Sequence, residues 1–135
     1  MSYDNPTRQT YDLGVIDFGD SSDTVITIPV PATGTQGRAG RVVDVLISEV
    51  AEDFAGSTSD AGVQVGDGTD DDKYYDTGLI LDETVDVADD AVLSLADDGS
   101  KADIELGRST LTVTCVASVG TPTGQAAVHV VVEWF

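Results

Sequence analysis

The sequence predicts an all-β protein, an antiparallel β-sandwich of jelly-roll-like type, and two observations support this prediction. The 135-residue chain contains 20 Asp but 5 Glu and 2 Lys, and Asp favours turns whereas Glu and Lys favour helices. About seven short segments with strand composition also follow one another, separated by stretches rich in Gly, Pro or Asp, and this spacing is typical of sandwiches.

Size and composition predict a single domain with an N-terminal extension. Hydrophobic residues make up 41% of the chain, enough for one core at a length that buries roughly two-thirds of the unfolded surface. Residues 1–12 are polar and lack periodicity. We therefore expect an extended N-terminal arm at 1–12, ordered against a neighbouring subunit, and a β-sandwich domain at 13–135.

The first half of the chain offers three strands. Residues 13–18 are apolar, and residues 23–30 place Ile26 and Ile28 on one face. Pro29 lacks an N–H group, which predicts an edge position for this second strand. Residues 42–54 have apolar spacing that suits either a strand or a helix, and we favour a strand because Val and Ile are abundant there.

The second half is clearest at its end. Residues 63–65 form a short strand candidate, and 79–96 and 103–106 hold weaker ones. Residues 110–115 and 126–135 alternate around a turn signal at 120–124, which predicts an antiparallel hairpin. The last strand is apolar on one face and partly apolar on the other, so we expect it inside a sheet or at a subunit contact.

Charge and composition exclude several classes of partner and compartment. The net charge of −19 disfavours nucleic acid and anionic membrane surfaces. The N-terminus lacks the basic and apolar regions of a secretory signal, and the apolar runs are too short to span a bilayer. We expect synthesis in the cytoplasm. An Asp-rich surface also suggests adaptation to salty water, where salt screens self-repulsion.

The sequence shows no catalytic constellation. His129 is the single histidine, and we interpret it as a partly exposed strand residue. A serine triad would need His129 with a Ser and an Asp, and no Asp stands out among 20. Cys115 alternates with apolar residues and is predicted to be a small buried hydrophobe. The prediction is a protein that is not an enzyme, with no catalytic residue, cofactor or metal ligand assigned.

One alternative class remains open, a carbohydrate- or calcium-binding β-sandwich module on a virion or cell surface. The loop 66–72 offers carboxylates and flexible glycines of the kind calcium prefers, although it lacks the EF-hand spacing. A solvated turn is the simpler interpretation of this loop. Tyr74 and Tyr75 beside it are the best candidates for a sugar-stacking platform.

A resemblance enters at residues 63–74, VQVGDGTDDDKY. This segment is similar to a strand and acidic loop, V-G-D/T-x-x-D-x-D-x-Y/F, found in small virion proteins of tailed bacteriophages. The DTVITIP strand at 23–29, the TVT strand at 112–114 and the valine-rich strand at 128–134 are similar to the companions of that motif. Spread over 13–135, these elements resemble phage head decoration (cement) proteins.

The resemblance implies a structural protein of the capsid exterior. It implies a β-sandwich that binds the major capsid protein, assembles as a trimer or another symmetric ring, and has no catalytic activity. The sequence does not distinguish a capsid decoration protein from a structural component of the phage tail or fibre. The Asp-rich loops would then face water and give the particle a negative surface.

Overall fold

The computed structural model describes residues 7–20, 22–29, 40–82, 85, 92–95, 97, 106 and 110–134. These residues form β-strands and their connections, and no helix occurs among them. None of the described segments could therefore cross a bilayer as a helix. The strands are β1 (Thr7–Asp17), β2 (Thr24–Pro29), β3 (Gly40–Ser59), β4 (Gly62–Gly66), β5 (Tyr75–Asp76), β6 (Leu93–Leu95), β7 (Thr110–Val116) and β8 (Val119–Trp134).

The eight strands form two antiparallel four-stranded sheets. Sheet A has the order β1-β8-β3-β6, and sheet B has the order β2-β7-β4-β5. Strand β1 therefore pairs with β8, β2 with β7, β3 with β6 and β4 with β5. This pairing arises when one long antiparallel ribbon of strands rolls up, which is the jelly-roll topology. The predicted fold class is confirmed.

The core lies between the two sheets and follows the alternation of the strands. Val45, Val128 and Val130 line it from sheet A, and Val63 and Val113 line it from sheet B, all without solvent exposure. At one end the Phe18 and Phe54 rings pack with their centroids 5.6 Å apart. Gly124 makes this contact possible, because a Cβ atom at its position would overlap the Phe54 ring.

Several strand predictions are confirmed. β2 is an edge strand of sheet B, as Pro29 predicts, because a residue without an N–H group cannot pair on both sides. The ambiguous segment 42–54 lies within the strand β3. β8 lies inside sheet A between β1 and β3, so its backbone groups are paired on both sides.

The expected arm at 1–12 is wrong for residues 7–12. These residues belong to β1, which runs antiparallel to β8 from Thr7 opposite Trp134 to Asp12 opposite His129. An edge strand with one solvated face is held by backbone hydrogen bonds and does not require apolar residues at every second position. A search for apolar alternation therefore fails to detect it. Residues 1–6 lie outside the described residues.

The expected hairpin of the last two strands is also wrong. β7 pairs with β2 and β4 in sheet B, whereas β8 pairs with β1 and β3 in sheet A. The chain crosses between the sheets at residues 117–118, and the apparent turn at 120–124 continues as strand β8. Gly120 and Gly124 have positive φ angles, which lets this end of β8 follow the irregular register of β3.

Some predictions fall on residues that the structure does not describe. They concern Val30, the segment 103–105, Phe135 and most of 83–91. Within 79–96, the described strand is β6.

Candidate functional site

The acidic loop 66–72 is organised around the Asp67 carboxylate. Its Oδ1 accepts hydrogen bonds from the backbone N–H groups of Thr69 and Asp70, both at 2.9 Å. Its Oδ2 contacts Nζ of Lys73 at 3.3 Å. The two backbone donors, with help from Lys73, lower the pKa of Asp67 to about 2. A lysine ammonium thus occupies the side of the carboxylate where a cation would bind.

The calcium alternative gains no support from this geometry. Both oxygens of Asp67 have donors, two in the loop and Lys73 directly after it. The described residues contain no group of three or more His, Cys, Asp or Glu arranged to hold a metal ion. Calcium takes six to eight oxygen ligands, far more than one engaged carboxylate supplies.

The tyrosine platform proposed for sugar binding is wrong. Tyr74 is fully buried and Tyr75 is 3% exposed, so neither ring offers a face to a ligand. The Tyr75 hydroxyl donates to the Leu95 carbonyl at 2.6 Å and fastens β5 to β6 across the two sheets. Burial, together with the nearby carboxylates of Asp44 and Asp97, raises the pKa of Tyr75 to about 12.

Three polar side chains meet on the outer face of sheet A. Ser48 on β3 lies with its Oγ 2.7 Å from Nε2 of His129 on β8. Nδ1 of His129 lies 3.2 Å from Oδ1 of Asp12 on β1. The same Oδ1 accepts the N–H of Gly14 at 3.2 Å, in the bulge that follows Asp12. Three adjacent strands thus each supply one member of a serine–histidine–aspartate cluster.

The partners of His129 determine its tautomer. An ionised carboxylate only accepts hydrogen bonds, so the Asp12 contact places a proton on Nδ1. In a neutral imidazole Nε2 is then the acceptor, and the Ser48 hydroxyl donates to it. The order of these contacts, carboxylate to imidazole to hydroxyl, is the order found in serine hydrolase triads. Asp12 is 70% exposed and His129 is 18% exposed, so the cluster is open to solvent at the Asp12 end.

The sequence did not indicate this cluster. The sequence places Asp12 in the expected arm and Ser48 in the strand predicted within 42–54, and their proximity to His129 depends on the β1-β8-β3 order and register. Recognising the cluster from the sequence would have required the pairing of β1 with β8, which sets Asp12 opposite His129. The prediction that the protein is not an enzyme stays a prediction.

Farther along the same face, an ion pair network crosses the same three strands. Glu133 on β8 contacts Arg8 Nε at 3.0 Å and Arg41 Nη2 at 3.3 Å. The hydrogen bond from Arg8 and the charge of both guanidinium groups lower the pKa of Glu133. Val131, between Glu133 and His129, is 7% exposed although it points outward, so side chains of the same chain already cover it.

The outer face of sheet B differs sharply in charge. Asp76 is the single charged residue among the outward-facing strand residues of this sheet, in a chain of net charge −19. Its carboxylate accepts the N–H of Gly78 at 2.8 Å. The other outward side chains are uncharged, and all but the amide of Gln64 are short or aliphatic, namely Val25, Thr27, Pro29, Gln64, Thr110, Thr112, Thr114 and Val116. We call this set, with Asp76, the threonine face.

A shallow depression of about 280 Å³ lies at one end of the threonine face. Val116, Gln64, Asp76 and Leu79 are among the residues that line it. Leu79 is 52% exposed and Ile80 next to it is 45% exposed. At the other end the acidic loop forms a border, because Gly68 lies beside Thr112.

Cys115 lies on the inner side of sheet B and is 2% exposed. Burial, with a smaller contribution from Asp23, raises the pKa of its thiol to about 12. The prediction of a small buried hydrophobe is confirmed.

Comparisons with known protein families, with curated proteins and with solved structures give no match to this chain.

Proposed function

We propose that this chain is a structural protein of a phage virion that decorates the outer surface of the capsid and binds the major capsid protein. The jelly roll supports this proposal at the level of fold, since viral capsid and lectin domains are among the proteins that use it. The strand and loop patterns at 23–29, 63–74 and 128–134 support it through their resemblance to decoration proteins.

The observation that carries the proposal is the threonine face. The cores of protein interfaces are depleted in charged residues, because a buried carboxylate without a partner is costly to desolvate. The chain carries 25 acidic residues, yet the described outward-facing strand residues of sheet B include a single carboxylate. A partner that docks there buries hydroxyls, an amide and aliphatic groups, and the acidic loops stay in water.

Assembly with further copies is part of the proposal. Decoration of a symmetric shell uses repeated complementary surfaces, and we propose a trimer or another closed ring. The outward-facing Val131 of β8 is covered within its own chain, so it offers little surface for a subunit contact. The half-exposed pair Leu79 and Ile80, at the border of the threonine face, is a better candidate for a contact between copies.

The test measures binding to expanded shells assembled from the major capsid protein encoded alongside this chain. Val25, which is 60% exposed and is the second residue of β2, is replaced in Val25→Asp. The new carboxylate would need desolvation in the complex, so we expect binding to fall by about tenfold or more.

Val15→Asp is the matched control. Val15 is 52% exposed, on an edge strand of the opposite sheet, and its replacement should leave binding unchanged. Equal loss in both variants would contradict docking through the threonine face. A parent protein that stays monomeric by light scattering and does not cosediment with shells would contradict the proposed function itself.

A further inference from the structure

We propose that Ser48 is an activated nucleophile, and that the Ser48–His129–Asp12 cluster gives this protein an acyl-transfer reactivity toward small neutral esters. The geometry points to this because the three groups are joined in the catalytic order. The Ser48 hydroxyl contacts Nε2 at 2.7 Å, and Asp12 contacts Nδ1 at 3.2 Å. The inference concerns the outer face of sheet A and is independent of capsid docking through sheet B.

The roles follow from the Ser48–His129 hydrogen bond and the Asp12–His129 contact. His129 touches the hydroxyl proton and acts as the base, so Ser48 and His129 are the catalytic residues. Asp12 acts through the imidazole and is a positioning residue, and it is itself held by the N–H of Gly14. A positioned base of this kind contributes about 10² to 10⁴ in rate.

The backbone around Ser48 is distinctive. The register of β3 against β8 shifts between Ser48 and Glu52, so a bulge begins directly after the proposed nucleophile. Glu49, the next residue, has a φ angle of 49° and is the one non-glycine residue with positive φ in the described part of the chain. Bulges redirect side chains beside functional sites, and backbone strain is concentrated there.

The surroundings define the class of ester. Leu46 pairs with His129 across the sheet and is partly exposed, so a short apolar acyl group has an aliphatic contact beside the catalytic pair. The net charge of −19 repels anionic substrates. In the described part of the chain the cluster lies on a sheet face that is open at the Asp12 end and is not enclosed by a cleft, which favours small esters with good leaving groups.

The proposed reaction uses water as its single co-reactant. Ser48 Oγ forms a bond to the ester carbonyl carbon as its proton passes to Nε2 of His129. The carbon–oxygen bond to the alcohol then breaks, and the leaving oxygen takes that proton. Water attacks the acyl-serine in the same way, releasing the carboxylic acid and restoring the hydroxyl.

The first experiment labels the full chain, in molar salt, with a fluorophosphonate probe. Ser48 Oγ displaces fluoride from phosphorus, which leaves a stable adduct that peptide mass spectrometry locates. We expect the adduct on Ser48 in the parent and its loss in Ser48→Ala. We expect labelling in His129→Gln to be slower by about tenfold or more.

Ser94→Ala is the matched control. Ser94 lies on β6, in the same sheet, and its Oγ bonds to Asp44 at 2.6 Å, a carboxylate without an imidazole between. Labelling should be unchanged in this variant. An unlabelled parent, or labelling of Ser48 that persists at full rate in His129→Gln, would overturn the proposal. Thermal unfolding of each variant separates lost reactivity from lost structure.

The second experiment uses the fact that the chain has one histidine. The imidazole ¹⁵N spectrum therefore reports His129 alone, and we expect the tautomer protonated at Nδ1 in the parent. In Asp12→Asn we expect that preference to weaken together with the labelling rate. A parent protonated at Nε2, or an Asp12→Asn variant with unchanged tautomer and rate, would overturn the role of Asp12.

Discussion

At the scale of single residues, the acidic loop depends on one carboxylate. The Asp67 carboxylate stabilises the turn because it accepts hydrogen bonds from two backbone N–H groups and contacts Lys73. Gly66 allows the close approach, because a Cβ atom there would overlap the carbonyl of Asp70. The loop that resembles a cation site in sequence is therefore a self-satisfied turn.

This geometry predicts an acid-sensitive contribution to stability. The pKa of Asp67 is lowered from 3.8 to about 2, so folding favours its charged form. The stabilisation is complete above the unfolded pKa and disappears as the pH falls through about 2. We expect Asp67→Asn to lower the urea unfolding midpoint at neutral pH, with a difference from the parent that narrows below about pH 4.

The control for this prediction is Asp71→Asn, which removes an exposed carboxylate of the same loop. It should leave the midpoint and its pH dependence nearly unchanged, because exposed surface positions away from such contacts contribute little. A pH-independent difference between Asp67→Asn and the parent would contradict the assignment.

At the scale of elements, β1 protects the valine-rich part of β8. It covers one edge of β8 from His129 to Trp134, where Val130 and Val132 are fully buried. Removal of residues 7–12 would leave that edge unpaired, and an exposed apolar edge promotes aggregation.

We therefore expect deletion of residues 1–12 to destabilise the fold and not merely to weaken docking. Several backbone hydrogen bonds of about 1 kcal/mol each would be lost, which corresponds to a fall in melting temperature of roughly 10 °C. Calorimetry on the truncated protein measures this change.

Deletion of residues 1–6 is the control, since it leaves β1 (Thr7–Asp17) whole. This variant should have the melting temperature of the parent protein and should not aggregate. A 1–12 deletion that also melts like the parent would show that β8 does not need its edge partner.

The elements differ in how far local sequence determines them. Alternation in 110–115 and 128–134 marks strands because each needs one buried face, and Pro29 marks an edge because it lacks a donor. Strand partners were not predictable, since alternation is identical for β7 beside β8 and for β7 beside β2. The Ser48–His129–Asp12 cluster was missed for this reason, because its members lie far apart in the chain and meet through strand order.

At the scale of the whole molecule, the outer faces of the two sheets differ in the charge of their side chains. Sheet A presents the charged network of Glu133 and the cluster of His129, whereas sheet B presents the threonine face. In the complex proposed above, the nearly uncharged strand face of sheet B would meet the partner. The described acidic loop 66–72 would then stay in solvent, where the repulsion between its charges depends on salt.

The last prediction concerns that repulsion. With 25 acidic and 6 basic residues, the folded chain concentrates like charges that the unfolded chain can separate, so self-repulsion destabilises the compact state. At molar ionic strength the Debye length falls to about 3 Å, and the repulsion is largely screened. We expect the melting temperature to rise from low to molar sodium chloride.

The double variant Asp70→Asn/Asp71→Asn removes two exposed charges. It should have a higher melting temperature than the parent at low salt and show a smaller rise with added salt. A melting temperature independent of salt in both proteins would mean that the acidity does not limit stability, and adaptation to salty water would lose its physical basis.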